Sequence, residues 1–126
     1  PNTEFATDSL YKIDLINEIL ASKEMYLGRF YLKKEKWIPA INRFKNILDQ
    51  YKTSIYTEEA VHRLVEIHYR LGLIDESRKY ATLLGYNYAS SEWYKKSYKL
   101  FNQKYKEPNI KKDQKKLRKK FKSLFE

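Results

Sequence analysis

The stretch LGRFYLKKEKWIPAINRFKNILDQYK (residues 27–52) decides the fold once LVEIHYRLGLIDESRKYATLLGYNYA (64–89) is set beneath it. At a spacing of 37 residues, Leu27 falls on Leu64, Gly28 on Val65, Tyr31 on His68 and Trp37 on Ile74. Further along, Ala40 falls on Ser77, Phe44 on Ala81, Ile47 on Leu84 and Lys52 on Ala89. Small residues recur where two helices must approach closely, and large apolar ones where each helix buries its stripe. A period of ~34 residues, with Leu-Gly and Tyr on one helix and Ala and Phe on the next, is the tetratricopeptide pattern. One such unit cannot bury its apolar face alone, so neighbours stack into a superhelix. The expected fold is all-α, an antiparallel helical solenoid with right-handed superhelical twist. Gly28 is expected to lie against Ala40, and the longer period implies a longer link between repeats.

Working outward, periodicity predicts helices over about 4–34, 37–51, 57–71, 75–86, 91–105 and 111–124. The first is long because DSLYKIDLINEILASKEMYLGRFYLKK contains no proline and only Gly28. The junctions PNTEF (1–5), KTSIY (52–56) and ASSEW (89–93) each place Thr or Ser two residues before an aromatic. The hydroxyl there can cap the next helix, and the aromatic can pack back as a staple. Acidic residues at Glu58 and Glu59, and at Asp75 and Glu76, suit helix N-termini. The segment LGYNYASSEWYKKSYKL (84–100) could offer its rings to single-stranded nucleic acid. Because its junction recurs twice elsewhere, Trp93 is expected to be a wedge of the scaffold. The resulting organisation is a repeat region over 1–105, with repeats at about 22–56 and 57–92 and a following helix at 91–105. A basic C-terminal helix or tail occupies 106–126.

The chain has 126 residues, 42% of them hydrophobic, with only three glycines and three prolines, which suits a packed helical domain. No apolar run approaches the ~20 residues that span a bilayer. It opens on PNTEF, with neither an initiator Met nor a signal-peptide pattern, as the interior of a longer protein would. The absence of cysteine excludes disulfides and thiol chemistry but suits either cytosol or periplasm. Of the net charge of +10, residues 111–126 hold +6, eight Lys or Arg against Asp113 and Glu126. The body is therefore only mildly basic, which argues against a surface devoted to nucleic acid. A composition rich in Lys, Asn, Ile and Tyr also follows from an AT-rich genome.

Chemistry-bearing motifs are few. His62 and His68 are six apart, about 240° around a helix, and do not converge on a metal. No glycine-rich phosphate loop and no Ser/His/Asp spacing is present. We therefore expect no catalysis, no cofactor and no metal. In the tail, Leu117, Phe121, Leu124 and Phe125 share one helical face opposite a lysine-dense one. Such a helix can cap the solenoid. It can also use Lys115, Lys116, Arg118, Lys119, Lys120 and Lys122 to contact anionic lipid or an acidic partner.

The runs KIDLINEILASKEMYLGRFYLKKEKWIPAINRFKNILDQY (12–51) and EEAVHRLVEIHYRLGLIDESRKYATLLGYNYASSEWYKKSYKL (58–100) closely resemble the BamD family. These are lipoprotein subunits of the Gram-negative outer-membrane β-barrel assembly machinery, and the likeness is greatest to the alphaproteobacterial branch. LGYNYASSEWY is similar to the family's LGYNYP-x-S-x-WY, with Ala89 where proline is usual, and LRKKFKSLF resembles its terminal segment. The resemblance implies the C-terminal half of a lipid-anchored protein on the periplasmic side of the outer membrane. Its partners would be the POTRA domain of BamA nearest the barrel and accessory lipoproteins. Unfolded outer-membrane proteins would be bound through the N-terminal half. In that docking the family sets a basic residue on the second helix of this repeat against a POTRA carboxylate. That role falls here on Arg43 with Asn42, and Lys34 and Trp37 flank them at the adjoining turn. A guanidinium suits it, since it grips a carboxylate bidentately. The rival reading, from charge alone, is a basic repeat adaptor binding RNA or another polyanion.

Overall fold

A computed structural model describes residues 3–101 together with Lys119, Lys120 and Lys122. Five helices follow one another: α1 (Glu4–Lys33), α2 (Trp37–Gln50), α3 (Thr57–Arg70), α4 (Ile74–Tyr88) and α5 (Glu92–Phe101). Of the expected helix over 91–105, the part beyond Phe101 lies outside the described residues. So does nearly all of the expected helix over 111–124, of which Lys119, Lys120 and Lys122 are helical and exposed. Helix α1 packs on α2, α3 packs on α4, α2 packs on α3, and α5 closes on α3 and α4. Two helical hairpins thus stack side by side, the tetratricopeptide-like all-α arrangement that the period implies.

The 37-residue period reappears in the backbone of both hairpin turns. In the first, the Glu35 amide donates to the Leu32 carbonyl at 3.1 Å and the Lys36 amide to Tyr31 at 3.0 Å. In the second, Gly72 donates to Tyr69 at 3.1 Å and Leu73 to His68 at 2.9 Å. This paired bonding satisfies the last carbonyls of a helix and requires a left-handed residue just beyond it. Glu35 (φ 56°) and Gly72 (φ 78°) supply that residue, 37 positions apart. Pro39 stands in the first turn of α2, where its missing N–H removes no helical bond.

The core gathers Met25 from α1, Ala40, Ile41, Phe44 and Ile47 from α2, and Ala60, Leu64 and Ile67 from α3. Burying each of the larger side chains contributes ~1.5–3 kcal/mol. The close approach of α1 and α2 is real, but its partner differs from the expected one. A Cβ on Gly28 would meet the Phe44 ring at 2.5 Å, so the glycine makes room for Phe44 rather than for Ala40. The linear period identifies which residues face inward but not which pair across the interface. The second unit redistributes this volume, with buried Val65 at the glycine position and half-buried Ala81 at the phenylalanine position. A second close approach joins α4 to α5, where a Cβ on Gly85 would meet the Tyr94 ring at 2.5 Å.

The junctions divide. Thr3 Oγ1 caps α1 by accepting from the Ala6 amide at 3.3 Å, and Ser91 Oγ accepts from the Tyr94 amide at 3.0 Å. Ser54 does not cap α3. It accepts from the Tyr56 amide within the loop, and Tyr56 itself holds the N-cap position with no side-chain bond. Tyr56 packs on the core and Trp93 lies against His62. Phe5, by contrast, is 82% exposed and staples nothing among the described residues.

Helix α1 differs from the others in having apolar residues on two sides. Ala21, Met25 and Gly28 are buried against the hairpin. Phe5, Ile13, Ile16 and Leu20 lie on the other side and are exposed. A helix apolar on opposite faces is built for the interior of a stack.

Candidate functional site

Arg43 sits on α2 beside the buried stripe of Ile41, Phe44 and Ile47, with half-buried Leu48 alongside, where a residue one position from Phe44 is turned to the flank of the helix. That flank faces α1. Arg43 Nη1 donates to both oxygens of Glu24, at 3.2 and 3.4 Å, and Asn46 Nδ2 donates to the same carboxylate at 3.3 Å. The Arg43 side chain is 37% exposed and that of Glu24 19%. Arg43 is thus an accessible cation already tied to its own scaffold.

The other three residues of the expected site do not converge on it. Asn42 is exposed and, one position away, points about 100° around the helix from Arg43. Trp37 lies about 9 Å of helical rise from Arg43, packed against the core, with the Arg70 guanidinium 5.9 Å from its ring centroid. Lys34 closes the α1–α2 turn, its Nζ 4.6 Å from the Phe30 ring centroid. The four therefore do not form one site: Asn42 turns away from Arg43, and Lys34 and Trp37 meet Phe30 and Arg70 respectively. In the tail, Lys115, Lys116 and Arg118 lie outside the described residues.

A larger set of polar groups on α3 carries no signal in the linear sequence. Arg29 reaches from α1 to grip Glu59 bidentately, Nε to Oε2 at 2.7 Å and Nη2 to Oε1 at 2.6 Å. This bond holds the guanidinium pKa above its ordinary value, against the opposing effect of burial. Arg63 donates to Glu66 at 2.9 Å and lies over Trp93, whose ring also carries Lys96 Nζ 4.4 Å from its centroid. Both histidines are buried and bonded. His68 Nδ1 lies 2.7 Å from the Leu64 carbonyl, and His62 Nδ1 lies 2.7 Å from Ser97 Oγ of α5. Burial pushes the His62 pKa down to about 4, opposed by Glu66 and reinforced by Arg63 and Lys96. Trp93 is thus held within the solenoid between α3 and α5, as the recurrence of its junction indicated.

Among the described residues, no group of three or more His, Cys, Asp or Glu could hold a metal ion, and no helix is long and apolar enough to cross a membrane. One polar cleft, between α1 and the Tyr51–Ser54 turn, carries Asp14, Glu18 and Asp49. Glu18 is occupied there, accepting from Ser54 Oγ at 3.0 Å and from the Ile55 amide at 3.3 Å. These groups bind the loop to α1 and set up no nucleophile beside a base.

Comparison with known proteins places this geometry. Residues 1–83 match the family model YfiO, described as an outer membrane lipoprotein. The chain is 54% identical over 100 residues to the outer membrane protein assembly factor BamD of Rickettsia prowazekii, covering 79% of this chain and 40% of that protein. It is 45% identical over 102 residues to the protein of the same name from Caulobacter vibrioides, covering 81% of this chain and 33% of the relative. At greater distance, the Haemophilus influenzae protein of that name is 30% identical over 73 residues, covering 58% of this chain and 28% of the relative. The chain thus spans less than half the length of these relatives, and it belongs to the YfiO family of outer membrane lipoproteins, the family of the BamD assembly factors.

Proposed function

We propose that this chain is the C-terminal, repeat-bearing part of a non-catalytic scaffold in the outer-membrane β-barrel assembly machinery, working on the periplasmic side of the outer membrane. In this reading the α1–α2 hairpin docks on the POTRA domain of BamA nearest the barrel. Accessory lipoproteins bind elsewhere on the solenoid. Unfolded outer-membrane proteins are met by preceding repeats of the full-length, lipid-anchored protein, whose last helix covers the outer apolar face of α1. The basic tail makes a peripheral contact with anionic lipid or an acidic partner, for which Lys119, Lys120 and Lys122 are exposed.

The observation that carries this reading is the guanidinium of Arg43. It is accessible, set on the α1–α2 hairpin and, among the described residues, bonded through one nitrogen. Likeness to proteins named outer membrane protein assembly factors supports the setting.

Titration of the chain with the POTRA domain tests it. Arg43→Glu sets like charge against the partner carboxylate, and breaking a buried charged pair costs ~2–5 kcal/mol, so docking should weaken at least ~30-fold. The fold should lose about 1–2 kcal/mol, because Arg43→Glu breaks a partly buried ion pair and sets a second carboxylate beside Glu24. A Lys or Arg in place of the POTRA carboxylate should restore part of the affinity. Docking by Arg43→Glu equal to that of the parent would remove the residue from the interface. If the chain were instead a polyanion binder, affinity for RNA would fall steeply with salt and depend little on Arg43 alone.

A further inference from the structure

The surroundings of Arg43 point to a second layer of this contact, one that rests on the docking reading. The Glu24 carboxylate receives three hydrogen bonds, two from Arg43 Nη1 and one from Asn46 Nδ2. Its side chain is half as exposed as that of Arg43. The carboxylate is well bonded and partly withdrawn from water, while the guanidinium is held, among the described residues, at one corner. A guanidinium carries five N–H donors in a planar fork, and its Nε–Nη2 edge can take a carboxylate side-on. Among the described residues nothing bonds to that edge.

We propose that Glu24 and Asn46 are positioning residues for docking. They hold Arg43 by Nη1, fix its long side chain in one orientation, and present the Nε–Nη2 edge to a carboxylate on the partner surface. An arginine ordered in advance spares the cost of immobilising a flexible side chain on binding. The opposite role is a Glu24 that masks Arg43 by competing with the partner carboxylate. The two roles predict opposite signs, because a mask, once removed, strengthens docking.

Affinity for the POTRA domain is measured for the chain carrying Glu24→Leu, which removes the acceptor, and Glu24→Gln, which keeps one. Positioning predicts docking about 3- to 10-fold weaker for Glu24→Leu, mostly through faster dissociation, with partial recovery in Glu24→Gln. It also predicts no further loss when Glu24→Leu is combined with Arg43→Lys, since an ammonium has no such edge to aim. Asn46→Ala, which loosens Glu24 at unchanged charge, should weaken docking by a smaller factor and serves in place of Glu24→Leu should that variant not fold. Equal or tighter docking by Glu24→Leu, with Arg43→Glu still weak, would overturn positioning and leave the docking reading standing. The same loss in the Arg43→Lys background would also overturn it, because Glu24 would then act through the fold. Arg43→Glu without effect would overturn both.

Discussion

The two hairpins share a frame and differ in what fills it. Their turns carry the same pair of backbone bonds, shifted by 37 residues, and the same left-handed residue beyond the first helix. Inside, α1–α2 sets a glycine against the fully buried Phe44 ring, whereas α3–α4 carries Val65 and Ala81 at those positions. Ser77 adds a bond absent from the first unit, its Oγ donating to the Val65 carbonyl at 2.7 Å. Their outer joints differ more. The first hairpin meets α3 through an apolar seam of Met25, Phe44, Ile47 and Leu64, flanked by the Arg29–Glu59 ion pair. The second meets α5 partly through His62, Ser97, Arg63 and Trp93. Backbone geometry sets the period, and volume and polarity can be exchanged within it. The second joint contains a buried imidazole, His62, whose pKa burial lowers to about 4.

The comparison breaks most severely at Phe44. Truncation to Ala beside Gly28 leaves a cavity that neither residue can fill, and Phe→Ala in a core costs ~3–5 kcal/mol. Hydrogen exchange should accelerate in α1 and α2 more than in α3 and α4, because stability in a stacked array is partly local. Uniform acceleration in all five helices would make the two hairpins one indivisible unit.

Acid should act on the other joint. The unfolded chain takes up a proton at His62 near pH 6.5, while the folded chain resists it until about pH 4. Stability is therefore full above pH 6.5 and is lost as pH falls toward 4, by about 3 kcal/mol at the lower limit. Denaturant unfolding at both pH values checks this against His62→Phe, which has a lower starting stability and a smaller acid loss. Equal acid losses would show that His62 does not control the joint between α3 and α5.

The smallest effect sharpens the likeness of the turns. A left-handed conformation costs an L-residue roughly 1–2 kcal/mol, and the larger unfolded-state freedom of glycine offsets part of that gain. Glu35→Gly should therefore stabilise by up to about 1 kcal/mol, and Gly72→Glu should destabilise by a similar amount. Thermal unfolding midpoints moving in the same direction for both would contradict the equivalence.

Much of the frame was legible because it is written in spacing. Helix α1 over Glu4–Lys33 and α2 over Trp37–Gln50 follow from where apolar residues recur and where Pro39 can stand. Spacing does not encode pairing across an interface, so Gly28 was set against Ala40 when it faces Phe44. Arg29 and Glu59 are 30 residues apart, His62 and Ser97 are 35 apart, and each is ordinary in its own helix. Only the folded stack brings them together. Arg43 was singled out through family resemblance, but no linear signal ties it to Glu24, 19 residues earlier on another helix.

The length of α1 has a mechanical consequence. Its 30 residues extend about 45 Å, and the first 14, before Glu18, run about 21 Å beyond the part gripped by the hairpin. Such a cantilever converts angle into displacement, so a tilt of about 5° at the gripped end moves the tip by about 2 Å. Whatever docks on Phe5, Ile13 and Ile16 is therefore aimed by the packing of Gly28 on Phe44. A substitution at that contact would misdirect a surface several helical turns away without touching it, and the seat of Gly28 governs alignment as well as stability.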